Sequence, residues 1–262
     1  MSMQLPTPAH LVPRLRPVEI VCHQGANEYA PPNTLAAAQI CVDWGMDYVE
    51  IDVNMSKDGV MYLFHGPEIG STTNGTGKFH EYDAWQIDRL DAGGWFGAQF
   101  RGEPVPRLDP FLRWIKGKAK VYFDIKRADL PALLGLVTEM QWEDDSFFWL
   151  GDPEMALAFR RLAPHLMLKV NAETAAGVVA AREQFGANII EVGVDSLNAE
   201  LVETCRAGNL KLMVYHTEKD PAAFRKMLDW DVDLINCDHG DVVAQVAAEY
   251  LGSQPIAGDL GA

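Results

Sequence analysis

Two acids, Glu50 and Asp52, lie two residues apart in the apolar run YVEIDVNM. A third, Asp124, lies in VYFDIK with Lys126 two residues on. In a strand, residues two apart project from the same face, so each pair presents its charges together. Carboxylates held together repel unless a cation lies between them. Three hard oxygen donors suit one divalent cation, Mg²⁺ or Ca²⁺, better than a thiophilic ion. Two histidines, His23 and His65, end apolar runs of the same stretch, 18–65. One histidine can take a proton from an attacking hydroxyl while the other gives one to a leaving oxygen. A cation and Lys126 would stabilise the charge that grows on a phosphodiester in its transition state. The residue set therefore points to metal-assisted cleavage of a small-molecule phosphodiester.

Such chemistry needs rigid elements that carry distant residues to one rim. Apolar runs at 18–22, 48–54, 121–126, 147–150, 166–170, 189–192, 210–215 and 234–236 read as eight main strands. A further short strand at 60–64 follows a Lys57-Asp58-Gly59 turn. Helical patterns fall at 35–44, 110–116, 153–162, 175–185, 198–207, 221–228 and 242–250. Asn33 or Thr34 is placed to cap the first helix, and Gly45, Gly186 and Gly208 to stop helices. Eight strand–helix units predict an α/β fold, a (β/α)8 TIM barrel. Chemistry in such a barrel sits at the C-terminal strand ends. His23, Glu50, Asp52, Asp124, Lys126, Lys169, Glu191 and Tyr215 all fall there.

Residues 66–110 break the rhythm, being rich in Gly and aromatics with one helical patch near 84–90. They are too long for a plain connection and read as a small inserted subdomain over one rim. Its aromatics, Trp85, Trp95, Phe96 and Phe100, read as the core of that insertion. His10, His80, His165 and His239 read as solvated. Residues 1–17 read as a Pro-rich arm with Arg14 and Arg16 in solvent, 18–250 as the barrel domain, and 251–262 as a tail.

The 262 residues are 48% hydrophobic, ample for a barrel core, and carry a net charge of −15. So acidic a surface argues against a broad face for nucleic acid or anionic membrane. The cysteines, Cys22, Cys41, Cys205 and Cys237, form no CxxC pair and read as small core residues of a reduced protein. No apolar stretch resembles a signal sequence or a membrane span of about 20 residues. The expected setting is cytoplasmic, without stable membrane association.

His23-x-Gly25, Asn33-Thr34, Gly45-x-Asp47, Glu50-x-Asp52-Val53, Asp58-Gly59 and His65 together resemble the signature of the glycerophosphodiester phosphodiesterase family. The likeness continues through Thr73-Asn74-Gly75-Thr76-Gly77, Leu90-Asp91-Ala92-Gly93, Pro106-x-Leu108 and Asp124-Ile125-Lys126, and weakly to Asp231-x-Asp233-Leu234-Ile235. The resemblance implies a (β/α)8 barrel with an inserted subdomain. It implies metal-dependent hydrolysis of glycerophosphodiesters to an alcohol and glycerol 3-phosphate. It casts His23 and His65 as the acid/base pair, Glu50, Asp52 and Asp124 as metal ligands, and Lys126 as a phosphate contact. A neighbouring substrate hydroxyl would attack first, and water would open the resulting cyclic phosphate.

The chain departs from that family at substrate-facing positions. Gln24 stands where an arginine is usual, and an amide cannot supply a bidentate charged grip. Pro32 and Gly66 replace acids, and Tyr215-His216-Thr217-Glu218 replaces a Trp-containing segment. With Gln24, Lys169, Glu191, Tyr215 and His216 as candidate substrate contacts, the diester expected is bulky and polar, such as a sugar-phosphate-sugar compound of the agrocinopine type. Two other readings compete. One is a phospholipase-D-like lyase that stops at the cyclic phosphate. The other is a binding protein for polyol phosphates, against which the retained histidines and acids argue.

Overall fold

The computed structural model describes residues 17–253. The expected arm, apart from Pro17, and the tail beyond Ser253 lie outside the described residues.

Short β-rich runs and capped helices alternate along the chain. They are β1 (Glu19–Cys22), α1 (Leu35–Asp43), β2 (Tyr48–Met55), β3 (Met61–Leu63), α2 (Ala84–Ile87), α3 (Leu108–Ile115), β4 (Lys120–Ile125) and α4 (Leu130–Glu139). There follow β5 (Ser146–Leu150), α5 (Pro153–Leu162), β6 (Lys169–Asn171), α6 (Ala175–Phe185), β7 (Ile189–Gly193), α7 (Ala199–Ala207), β8 (Lys211–His216), α8 (Pro221–Asp229), β9 (Leu234–Cys237) and α9 (Gly240–Ser253). Thr34, Asp129, Asp152, Thr174, Asn198 and Asp220 each accept a first-turn backbone N–H of the helix that follows. That satisfies donors the helix itself leaves open. Gly186, at φ 62°, closes α6 in the left-handed conformation that glycine adopts without strain.

Hydrogen bonding orders the strands β5-β4-β2-β1-β9-β8-β7-β6, all parallel, with β3 antiparallel on β2. β5 meets β6 through one bridge, Phe148 with Leu168, where the Phe148 N–H donates to the Met167 carbonyl at 3.0 Å. Eight parallel strands thus form a nearly closed (β/α)8 barrel. The expected eight-unit count holds, with two adjustments. Helix α4 was not among the expected elements, and α9 continues to Ser253, past the expected end at 250.

Alternate residues face opposite ways, and the two faces carry different cores. Val21, Tyr48, Tyr122, Phe147, Ile189, Met213 and Leu234 form one cluster, to which seven of the strands each contribute one residue. The other parity, including Ile20, Cys22, Val49, Ile51 and Phe123, packs with the helices in a second, larger cluster. Residues two and four further along the first parity are Glu50 and Asp52 on β2, Asp124 on β4, Glu191 on β7 and Asn236 on β9. On β2, β4, β7 and β9 this face is therefore apolar low in the barrel and polar toward the C-terminal end.

The opposite mouth holds a structural clasp. The Glu19 carboxylate accepts from Lys120 Nζ at 2.7 Å and from Lys211 Nζ at 3.1 Å, joining three strands. Burial works against its ionisation, but the two lysines outweigh burial and hold the carboxyl below its usual value.

β3 and the residues after it build a separate small core from Tyr62, Phe64, Ile69, Phe79, Ala84, Ile87, Ala92 and Val105. The expected aromatics are not in it. Trp85 and Trp95 are 56% and 51% exposed, and Phe96 makes edge contacts to Trp95 and Phe100 instead. Gly93 is where this segment packs tightest: a Cβ there would lie 2.0 Å from the Phe100 carbonyl oxygen. All four cysteines are free and buried, as expected of core residues.

Candidate active site

Strand register brings the acids together. β2 and β4 pair with Asp52 opposite Asp124, and Glu50 sits two residues below Asp52 on the same face. Ligand atoms of the three carboxylates lie within 4.8 Å of one another, and all three residues are buried. The Gln24 backbone N–H donates to Glu50 Oε2 at 2.5 Å. Asp52 Oδ2 accepts from Asn33 Nδ2 at 2.6 Å and from Gln24 Nε2 at 2.8 Å, while Asn33 Oδ1 accepts the Asp52 N–H. Gln24, at φ 56°, begins the tight turn that aims its N–H at Glu50, and Gly25, at φ 83°, continues it. A Cβ on Gly25 would lie 2.8 Å from that of Ala37, so only glycine lets the turn close on α1.

Electrostatics make this cluster a candidate cation site. Burial and then repulsion from Asp52 and Asp124 push the Glu50 carboxyl well above its usual value. Burial pushes Asp124 up to about 6, against the opposing pull of Lys126. Asp52 Oδ1 and Asp124 Oδ1 are buried and accept no hydrogen bond, although Lys126 Nζ lies 3.1 Å from the former. Buried anionic oxygens without donors are costly, and a divalent cation is the partner their chemistry fits. Lys126 Nζ also pairs with Asp124 Oδ2 at 2.7 Å. Burial alone would lower its ammonium, but Asp52 and Asp124 raise it above its usual value.

His23 stands beside the cluster with a partner that sequence inspection does not reveal. β1 pairs with β9, Cys22 opposite Cys237, so the next residue of each strand meets across the rim. His23 Nδ1 lies 2.7 Å from Asp238 Oδ1, which also accepts from Asn27 Nδ2 at 2.6 Å. Burial opposes the Asp238 charge, yet those two hydrogen bonds hold its carboxyl below its usual value. The Tyr215 ring meets the His23 ring edge-on, with centroids 5.4 Å apart.

His65 is exposed and lines a cavity of about 440 Å³ that also reaches Lys126 and Trp149. His80, expected in solvent, lines the same cavity. A second cavity, of about 640 Å³, lies on the other side and is lined by Tyr215, His216, Asp195, Glu218, Asp220 and Lys226 among others. Lys169 and Glu191 are set deeper. They are 1% and 7% exposed, and Lys169 Nζ bonds to Glu191 Oε2 and, at 2.7 Å, to Asn171 Oδ1. Glu191 Oε1 accepts from Asn236 Nδ2 at 3.1 Å. Burial draws the Lys169 ammonium below its usual value despite Glu191. These two residues spend their charges on each other below the rim, and Gln24 directs its amide at Asp52.

A barrel with a buried carboxylate centre at its C-terminal mouth, and histidines near the same rim, has the donor set that could hold a cation. Comparison with known proteins narrows this to a family. The model of the glycerophosphoryl diester phosphodiesterase family matches residues 23–242. The chain is 27% identical over 258 residues to the glycerophosphodiester phosphodiesterase of Bacillus subtilis (strain 168), covering 88% of this chain and 86% of that one. It superposes at a TM-score of 0.84 and 37% identity on the crystal structure of a glycerophosphodiester phosphodiesterase from Agrobacterium tumefaciens str. C58, covering 87% of this chain and 99% of that one. An Oleispira antarctica phosphodiesterase, solved with its product sn-glycerol-3-phosphate, shares the fold at a TM-score of 0.80 and 21% identity, over 87% of this chain and 96% of that one. The chain belongs to the glycerophosphoryl diester phosphodiesterase family and is a phosphoric diester hydrolase.

Proposed function

We propose that this protein hydrolyses a glycerophosphodiester-like small molecule to an alcohol and a phosphomonoester, with His23 and His65 exchanging the protons. The observation that carries this reading is the three-carboxylate centre, two of whose buried oxygens lack donors, beside a histidine held by a carboxylate. Glu50, Asp52 and Asp124 would hold one divalent cation, Mg²⁺ or Ca²⁺. That ion would supply charge stabilisation for the phosphoryl oxygens.

The chain's own groups do the rest. With Asp238 accepting from Nδ1–H, His23 presents Nε2 as its proton acceptor. His23 then takes the proton of a substrate hydroxyl as that hydroxyl attacks phosphorus. His65 gives a proton to the departing alcohol oxygen. The roles reverse when water opens the cyclic phosphate. Lys126, raised by its acidic neighbours, stays protonated and faces the phosphate from the His65 side. Lys169 and Glu191 support the rim from below, and Gln24 holds Asp52. The four buried thiols support a reducing, cytoplasmic setting.

The cavity beside Tyr215, rich in hydroxyl- and carboxyl-bearing groups, favours a large polyhydroxylated arm. That supports the sugar-phosphate-sugar reading over glycerophosphocholine. A screen of glycerophosphocholine against sugar phosphodiesters, with products identified by phosphorus NMR, tests the proposal. A phosphomonoester is expected, formed faster from the sugar diesters. Accumulation of cyclic phosphate alone would favour the lyase. Turnover of glycerophosphocholine at an equal or higher rate would overturn the substrate assignment.

A further inference from the structure

The two cavities that flank the centre differ in charge. The one beside Tyr215 carries Asp195, Glu218 and Asp220 against Lys226 alone. The one beside His65 carries Lys126 and Arg127, with His80 as a further donor, against Asp152 alone. Each cavity has one acid engaged as a helix cap: Asp152 Oδ1 accepts the Met155 N–H at 2.9 Å at α5, and Asp220 Oδ1 accepts the Ala222 N–H at 2.9 Å at α8, which leaves the Tyr215 cavity two further acids, Asp195 and Glu218, and the His65 cavity none. Arg127 is exposed and anchored by its backbone, whose N–H donates to the Val53 carbonyl at 3.1 Å. Among the described residues its guanidinium has no hydrogen bond, ion pair or ring contact.

The histidines of this cavity are placed by a rigid device. Phe64 precedes His65, and Phe79 precedes His80. The two phenyl rings stack with centroids 4.5 Å apart at 18°, and both residues are buried in the small core after β3. Tyr62 meets Phe79 edge-on at 5.9 Å. The chain after β3 is thereby tied to the barrel at the point that sets His65 and His80 into one cavity. A core this specific, with an unpartnered guanidinium lining the cavity it borders, is more than a cover for the barrel mouth.

We propose that the cavity bounded by His65, His80, Lys126 and Arg127 is a subsite for an anionic group, such as a second phosphate or a carboxylate, on one arm of the diester. Arg127 and His80 are its specificity-determining residues. A planar guanidinium suits a phosphate or carboxylate in a two-pronged grip. The opposite cavity repels such a group through Asp195, Glu218 and Asp220. The substrate is therefore bound in one orientation, anionic arm toward His65 and neutral, polyhydroxylated arm toward Tyr215. This inference rests on the hydrolase reading above and adds the charge of one arm.

The test uses a matched pair, glycerophosphoglycerol and the same diester with a phosphate monoester on its second glycerol. Steady-state turnover is measured in buffer containing a divalent cation. Binding of glycerol 3-phosphate and of a glycerol bisphosphate is followed in parallel by tryptophan fluorescence, since Trp149 lines the cavity. Wild-type protein is expected to favour the phosphorylated diester by about tenfold in kcat/KM, mainly through KM, as one charge-assisted contact allows. In Arg127→Gln that preference is expected to vanish, and in His80→Gln to shrink. A merely structural loss would lower both substrates together and leave the ratio intact. A ratio at or below one in the wild type, or one unmoved by Arg127→Gln, overturns the subsite. Turnover of neither diester contradicts the hydrolase reading instead, and the binding ratio in wild type and Arg127→Gln still decides the subsite.

Discussion

At the scale of single residues, proton transfer depends on a contact that joins the two ends of the chain. Asp238 holds His23 Nδ1 at 2.7 Å and is fixed in turn by Asn27. Replacing Asp238 by Asn keeps a polar side chain but removes the charge that favours the imidazole as a base. In steady-state kinetics Asp238→Asn is expected to lower kcat roughly 100-fold with little change in KM. An unchanged kcat would remove the dyad from the mechanism. His23, which follows β1, and the three acids, which break the apolar runs of β2 and β4 on one face, were legible as polar residues set in otherwise apolar strands. Asp238 was not, because the last strand reads as ending at Asn236 and nothing local ties Asp238 to His23. Only the β1–β9 register, Cys22 opposite Cys237, makes them neighbours. Gln24 and Asn33 were legible as motif members, but their grip on Asp52 exists only in the fold, where the turn after β1 meets β2.

At the scale of elements, the segment after β3 is a positioning device. Phe79→Ala removes a buried ring stacked on Phe64. Unfolding in denaturant is expected to show a loss of about 3 kcal/mol. Displacement of His65 is expected to cost roughly tenfold in kcat. Loss of stability with unaltered kcat would show that the stack does not place His65. The aromatic content of 66–110 made a small core legible but not its members, since Trp85 and Trp95 face solvent while Ile69, Phe79 and Ile87 do the packing. Helix α4, LPALLGLVTE, was missed because its apolar residues surround the helix and Gly135 interrupts it, leaving no clear 3.6-residue face.

The Glu19 clasp with Lys120 and Lys211 acts between elements at the far mouth. A carboxyl held below its usual value contributes stability above its unfolded pKa and loses it as pH falls through the folded one. Glu19→Gln is thus expected to cost on the order of 1 kcal/mol near neutral pH. The difference from wild type should shrink as pH falls below about 4.3. Melting temperatures across that range check this, and a difference that grows in acid would contradict it.

At the scale of the whole molecule, one strand parity builds both the barrel's inner core and its site. Tyr48, Glu50 and Asp52 share one face of β2, and Tyr122 and Asp124 share one face of β4. That economy is why counting strands and noting polar residues at their ends was enough to read the architecture and the centre. Substrate-facing features were less legible, because cavities form between loops that no periodicity describes. His80 reaches the His65 cavity through the segment after β3, and nothing in its local sequence marks it. We propose that the Glu50–Asp52–Asp124 centre makes diester hydrolysis cation-dependent. Phosphorus NMR of a glycerophosphodiester incubated with the protein, before chelation, after it, and after Mg²⁺ or Ca²⁺ is restored, tests it most directly. The phosphomonoester signal is expected to grow, to stop on chelation, and to resume with the ion. Phosphomonoester formation at an undiminished rate in the chelated protein would contradict it.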